Sequence, residues 1–192
     1  MKMSKGFSLF ELTFIVGILV VVGLVAIPNM IVVISNARVR AGVTSMSGLL
    51  QNARMSAVKV NKTLTTHFAT EGTATLVGYV KEASDTADRK STDLQAEWEA
   101  PVRMMGDPDD YTGGGAPSEI SDTTLGFTPV GTEPSFNTRG LPCVFTTTCT
   151  SSGFLYYFKD TSQPGSKGWA ALSISPAGRI KKWFWTGTDW TD

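Results

Sequence analysis

Several groups of side chains in this sequence have types that could do chemistry. Glu11 is the only charged side chain between Phe7 and Ile34. A lone carboxylate inside an apolar helix costs about 2.5–3.5 kcal/mol at a bilayer centre, so it is expected to have a partner and a function. Cys143 and Cys149 are the only cysteines and lie close together in a Thr-rich stretch. A disulfide, two free thiols and a metal pair are all open to them, although a single histidine, His67, makes a Cys/His zinc site hard to build. A catalytic His67 would need a nucleophile and an orienting acid nearby. The sequence offers no pattern for either, so a structural strand histidine is expected and hydrolase chemistry is not. Asp107-Pro108-Asp109-Asp110 gathers oxygen ligands, but its spacing does not fit a calcium-binding EF-hand loop. It reads as a solvated acidic turn, and no cofactor or metal is expected. Finally, Gly178-Arg179-Ile180-Lys181-Lys182 sets cations beside aromatics. Alternation along a strand would put Arg179, Lys181, Trp183 and Trp185 on one face and Ile180, Lys182 and Phe184 on the other. Such a surface could hold phosphate and stack bases, making Arg179, Lys181 and Lys182 candidate DNA contacts. The plainer reading is an edge strand kept soluble by its charges.

These residues need elements to position them. The run from Phe7 to Ile34 would span roughly 40 Å as a helix, against a hydrocarbon core of about 30 Å. Lys2 and Lys5 precede it and Arg38 and Arg40 follow it, so charge alone does not orient it. It is too long for a signal-peptide core, and Ala26-Ile27-Pro28 is a poor cleavage site. A plain membrane anchor leaves both Glu11 and the abrupt Gly6-Phe7 junction unexplained. Beyond Pro28, which is expected to kink the helix, Val43, Met46, Leu50, Ala53, Ala57 and Val60 recur at helical spacing. Gly17 and Gly23 are read as sites of close helix approach. Leu64 to Ala69 and Thr73 to Lys81 read as a hairpin, and further strands are expected at 123–128, 154–159, 169–175 and 179–185. Ser175-Pro176-Ala177-Gly178 is a turn signal between the last two. Residues 82–117 read as mostly irregular, with a strand or short helix over 93–102. The expectation is an α+β fold, a long helix packed on antiparallel sheet.

The N-terminal residues Lys5-Gly6-Phe7-Ser8-Leu9-Phe10-Glu11-Leu12 resemble the leader of type IV prepilins, with Ser8 and Phe10 as mild departures. Pro28 sits where that family has its helix-kinking proline. Three further stretches resemble the GspH/FimT branch of minor pilins and pseudopilins: Leu49 to Ala57, Phe136-Asn137-Thr138-Arg139-Gly140-Leu141-Pro142, and Ser173 to Ile180. The resemblance implies the type IV pilin fold. Residues 1–6 would be a leader peptide, 7–34 a transmembrane and filament-core helix, 35–61 its amphipathic half and 62–192 a β-rich head domain. It implies cleavage after Gly6 by a prepilin peptidase, N-methylation of Phe7, and pairing of Glu11 with a neighbouring subunit's amino terminus during assembly. Loss of Lys2 and Lys5 from a chain with 17 basic and 17 acidic side chains would leave it two charges negative, so nothing in the overall charge demands nucleic acid. Translocation into an oxidising compartment would join Cys143 to Cys149.

The implied function is that of a structural subunit, not an enzyme. It would act in initiation or at the tip of a type IV pilus or type II secretion pseudopilus. Its partners would be other pilins, the peptidase and the inner membrane. The implied location is the bacterial inner membrane, single-pass with a periplasmic head, and then the filament. The alternative is a DNA-binding minor pilin of natural transformation, since some members of the branch carry Gly-Arg-x-Arg near the C-terminus; here the fourth position is Lys181, which lacks the bidentate fork of arginine.

Overall fold

The computed structural model describes residues 8–71, 75–85, 87–88, 90–99, 102–105, 132–163 and 168–192. The chain divides into two compact units, Met1–Ile34 and Ser35–Asp192. Helix α1 covers Leu9–Val60, and its backbone is helical through Pro28. Its side chains are described over Leu9–Leu24 and Met30–Val60. In the first unit these are largely apolar and exposed, among them Leu9, Phe10, Phe14, Leu19 and Leu24. Glu11 lies in the first turn, where a carboxylate complements the positive end of the helix dipole.

The described residues of the second unit form eleven strands in two antiparallel sheets. The first sheet has the order β3-β2-β1-β5-β6-β7, built from Leu94–Glu99, Thr75–Glu82, Leu64–Glu71, Ser135–Phe136, Pro142–Phe145 and Cys149–Ser151. The second has the order β11-β10-β9-β8-β4, from Trp190–Thr191, Ile180–Trp185, Trp169–Ile174, Phe154–Asp160 and Val102–Met105. The β1–β2 hairpin pairs Leu64 with Glu82 and Glu71 with Thr75. Cys143 and Cys149 are joined, bridging β6 and β7. A loop this small contributes about 2 kcal/mol through the unfolded state.

Both sheets give a face to one core. From α1 it takes Val43, Met46, Leu50, Ala53 and Ala57 on a single stripe, with Val39 and Leu49 at its margin. Period-two alternation divides the second sheet cleanly. Phe154, Tyr156 and Phe158 of β8, Ala170, Leu172 and Ile174 of β9, and Ile180 and Phe184 of β10 join this core. Leu155, Tyr157, Trp169, Ala171, Trp183 and Trp185 form a second cluster on the opposite face. Trp98 of β3 ties sheet to helix, its indole N–H donating to the Gly42 carbonyl at 2.6 Å.

Two expectations are corrected. No helix among the described residues is long and apolar enough to cross a membrane. Glu11 interrupts the apolar side chains in the first turn of the helix, and a carboxylate inside a span is costly. The single-pass inner-membrane placement with a periplasmic head is therefore not supported. The expected fold, a type IV pilin arrangement of a long N-terminal helix with a membrane-spanning first half on a sheet, is overturned with it. The Ser35–Asp192 unit is built on two antiparallel sheets, and the apolar helix residues of its core lie between Val39 and Ala57. Val60, placed on the buried stripe by its spacing, is half exposed at the helix end. Of the two alternatives for 93–102 the strand is the one found, as β3 over Leu94–Glu99, which pairs with β2 from Thr75↔Glu99 to Val80↔Leu94. The expected strand at 123–128, the Asp107-Pro108-Asp109-Asp110 cluster and the Gly6-Phe7 junction lie outside the described residues.

Candidate functional site

In the second unit a cleft of about 590 Å³ lies where α1 meets two turns. The helix gives it Gln51, Arg54, Met55 and Val58, spaced three, four and seven residues apart and so on one face. That face adjoins the stripe of Ala53 and Ala57, which is buried in the core. Arg139, in the turn between β5 and β6, forms a second wall. Gly178, Arg179 and Ile180, at the start of β10, form the third.

Each turn is fixed by its own hydrogen bonds. Asn137 Oδ1 accepts from the backbone N–H of Arg139 and of Leu141, both at 2.9 Å. The Gly140 N–H closes the turn onto the Asn137 carbonyl at 2.8 Å, with φ at +74°. In the other turn the Gly178 N–H donates to the Ser175 carbonyl at 2.7 Å, and φ is +83°. Both positions use the left-handed region that only glycine enters without strain. Both glycines also face Arg54. A Cβ on Gly140 would lie 3.1 Å from Arg54 Cγ, and one on Gly178 would lie 3.2 Å from its Cζ. Arg54 Nη1 donates to the Gly178 carbonyl at 2.9 Å. One arginine on the helix is thus clasped by the two turns.

The lining of the cleft is cationic: Arg54, Arg139 and Arg179 line it, and among the described residues no carboxylate does, the Asp192 carboxylate lying outside it within electrostatic reach of Arg179. Arg139 and Arg179 are exposed, and so are the apolar side chains of Met55 and Val58. The arrangement offers planar donors for an anion beside an apolar floor.

Of the basic residues singled out from the sequence, Arg179 alone lies in this cleft. Lys181 is on the other face of β10, with its ammonium 3.9 Å from the centre of the Trp183 ring and 3.0 Å from an Asp192 carboxylate oxygen. The hydrogen bond and charge of Lys181 hold the Asp192 carboxyl below its ordinary value. Lys182 is exposed and shares the face of Ile180 and Phe184, as alternation predicts, but does not line the cleft. The two arginines that join Arg179 had no assigned role in the sequence. Their signal lay in the glycines: Leu49 to Ala57, Phe136 to Pro142 and Ser173 to Ile180 are the stretches that meet at Arg54.

His67 is a strand residue, as expected. Its Nδ1 is 2.8 Å from Glu133 Oε2, and its ring stacks on Tyr79 at 5.3 Å. Burial pushes the Glu133 carboxyl up, but the bond and charge of His67 and the Phe68 N–H outweigh it, so the group sits below its ordinary value. Among the described residues no group of three or more His, Cys, Asp or Glu side chains could hold a metal ion. Gly6 and Phe7 lie outside the described residues, and the side chain of Pro28 is not described. No protein-family model, curated protein or solved structure matches this chain.

Proposed function

We propose that the chain is a non-enzymatic structural subunit of a filament, a minor pilin or pseudopilin of a type IV pilus or type II secretion pseudopilus. The observation that carries this reading is the Leu9–Ile34 part of α1. Its described apolar side chains are exposed, Leu9 at 81% and Leu24 at 71%, and Glu11 is its only charge. Apolar surface on this scale marks a site of association. A filament of like helices removes it from water and gives Glu11 a cationic partner in the amino terminus of a neighbour. Two charges that neutralise each other tolerate such an interior where one alone does not. On this reading the prepilin peptidase cuts after Gly6 and Phe7 becomes the methylated first residue.

The test is incorporation. Glu11→Ala is expected to leave the Ser35–Asp192 unit folded and to reduce assembly into filaments severely, with the mature N-terminus still at Phe7 by mass spectrometry. Normal incorporation of Glu11→Ala would remove the assigned role of Glu11. An N-terminus at Met1, in cells with and without the peptidase, would remove the leader and the filament reading with it.

A further inference from the structure

The three-arginine cleft belongs wholly to the Ser35–Asp192 unit, and nothing in filament assembly through the Leu9–Ile34 helix uses it. We propose that it binds an acidic segment of a partner protein. Carboxylates would meet Arg139, Arg179 and Arg54, and an adjoining apolar side chain would lie on Met55 and Val58.

Charge gives the first argument. Three guanidinium groups line one concavity, with no lining carboxylate among the described residues, so the cleft is complementary to an anion. Guanidinium geometry favours bidentate acceptors, which carboxylates and phosphates both supply. The floor then separates these two. Met55 is 62% exposed and Val58 51%, within a helix stretch whose other large apolar side chains, Val43, Met46, Leu49 and Leu50, are buried. An unbranched thioether beside a cation is suited to an apolar side chain next to a carboxylate, the pattern of an acidic peptide. A phosphate backbone would draw on a longer track of cations. Here Lys181 stands on the opposite face of β10 in contact with Asp192, and Lys182 does not line the cleft. The partner favoured by these observations is therefore a peptide, not a nucleic acid.

The proposal is tested with the full chain in an uncharged detergent at physiological salt. The probe is a fluorescein-labelled peptide alternating Glu and Leu, read by fluorescence anisotropy. The comparison probes are the same peptide with Gln for Glu, the same with Ser for Leu, and an oligothymidylate of similar length. Each charge-assisted contact is expected to account for about tenfold in affinity. Replacing both Arg139 and Arg179 by Gln should weaken the acidic peptide by about a hundredfold. Both side chains are exposed, so circular dichroism should be unchanged by these substitutions. The Gln peptide should bind the native chain as weakly as the acidic peptide binds the double variant. Met55→Ser and the Ser peptide should each weaken binding several-fold. The proposal is overturned if the acidic peptide binds no better than its Gln counterpart, or if the double variant binds it normally. It is equally overturned if oligothymidylate binds through the same arginines and the peptide fails to displace it. None of these readouts requires filament assembly, so they stand or fall apart from the Glu11 experiment.

Discussion

Helix α1 contains two apolar stretches in opposite circumstances. Over Leu9–Leu24 the apolar side chains surround the helix and are exposed. Over Val39–Ala57 they are confined to one stripe, and Val43, Met46, Leu50, Ala53 and Ala57 are wholly removed from water. The first stretch is the denser in apolar residues, and the two differ in pattern as well. A helix apolar all round has no side left for water and must be covered by something outside its own unit. A helix apolar on one stripe can be satisfied within its own domain. The first stretch is thus suited to association and the second to folding.

The largest test of this contrast is a matched pair of truncations. Leu50→Ala removes a fully buried side chain and should cost about 2–5 kcal/mol, read by chemical denaturation. Leu19→Ala, at a position 64% exposed, should stay within about 0.5 kcal/mol. Equal losses would break the distinction. Glycines sharpen it at the next scale. A Cβ at Gly42 would lie 3.0 Å from Trp98 Cδ1, within the hydrogen-bonded contact of that indole with the helix. Gly42→Ala should therefore destabilise by about 1–3 kcal/mol, less the helix-propensity gain. Gly17 has nothing within 4 Å, so Gly17→Ala should raise helix content and stabilise the isolated helix by up to about 1 kcal/mol. If the proposed filament forms, the same substitution should reduce incorporation by holding neighbouring helices apart.

The smallest effect is electrostatic and is confined to the second unit. The Glu133 carboxyl sits below its ordinary value, so its pairing with His67 adds stability above the normal carboxylate range. That contribution is lost as pH falls through the lowered folded value. Glu133→Gln should flatten this part of an acid-unfolding curve. The change should be modest, since the Glu133 side chain is 41% exposed and screened by solvent. An unchanged curve would remove the pair from the account of stability.

Local signals in the sequence were the legible ones. The β1–β2 hairpin follows from two apolar runs around a Gly-containing turn. The two faces of β10 follow from alternation over Ile180–Trp185 but not at Arg179, which precedes the strand and lines the cleft instead of sharing the face of Lys181. The buried helix stripe follows from spacing, failing at Val60, where the helix ends and nothing covers it. Non-local pairing was not legible. β5 is two residues long and has no propensity signal of its own; it exists because Leu64 pairs with Phe136 and Ser135 with Cys143. Whether the strands form one sheet or two stayed open in the sequence for the same reason. The membrane span was over-read, because a count of apolar residues across 7–34 does not by itself make a span. In the cleft, Arg179 was legible as a cation after a turn. Arg54 and Arg139 were not, because only the fold brings a helix position and two distant glycine turns to one point.

The clasp on Arg54 has a consequence for how the cleft would greet a ligand. Holding a long side chain in one rotamer on binding costs about 0.5–1.5 kcal/mol. Arg54 is already restrained by Gly140, Gly178 and the Gly178 carbonyl, so this cost is met when the chain folds. Exposed Arg139 and Arg179 would meet theirs only on contact. The cleft is one-third preorganised: a restrained cation at its inner wall, where a first carboxylate would dock, and two exposed ones at the rim still to be ordered.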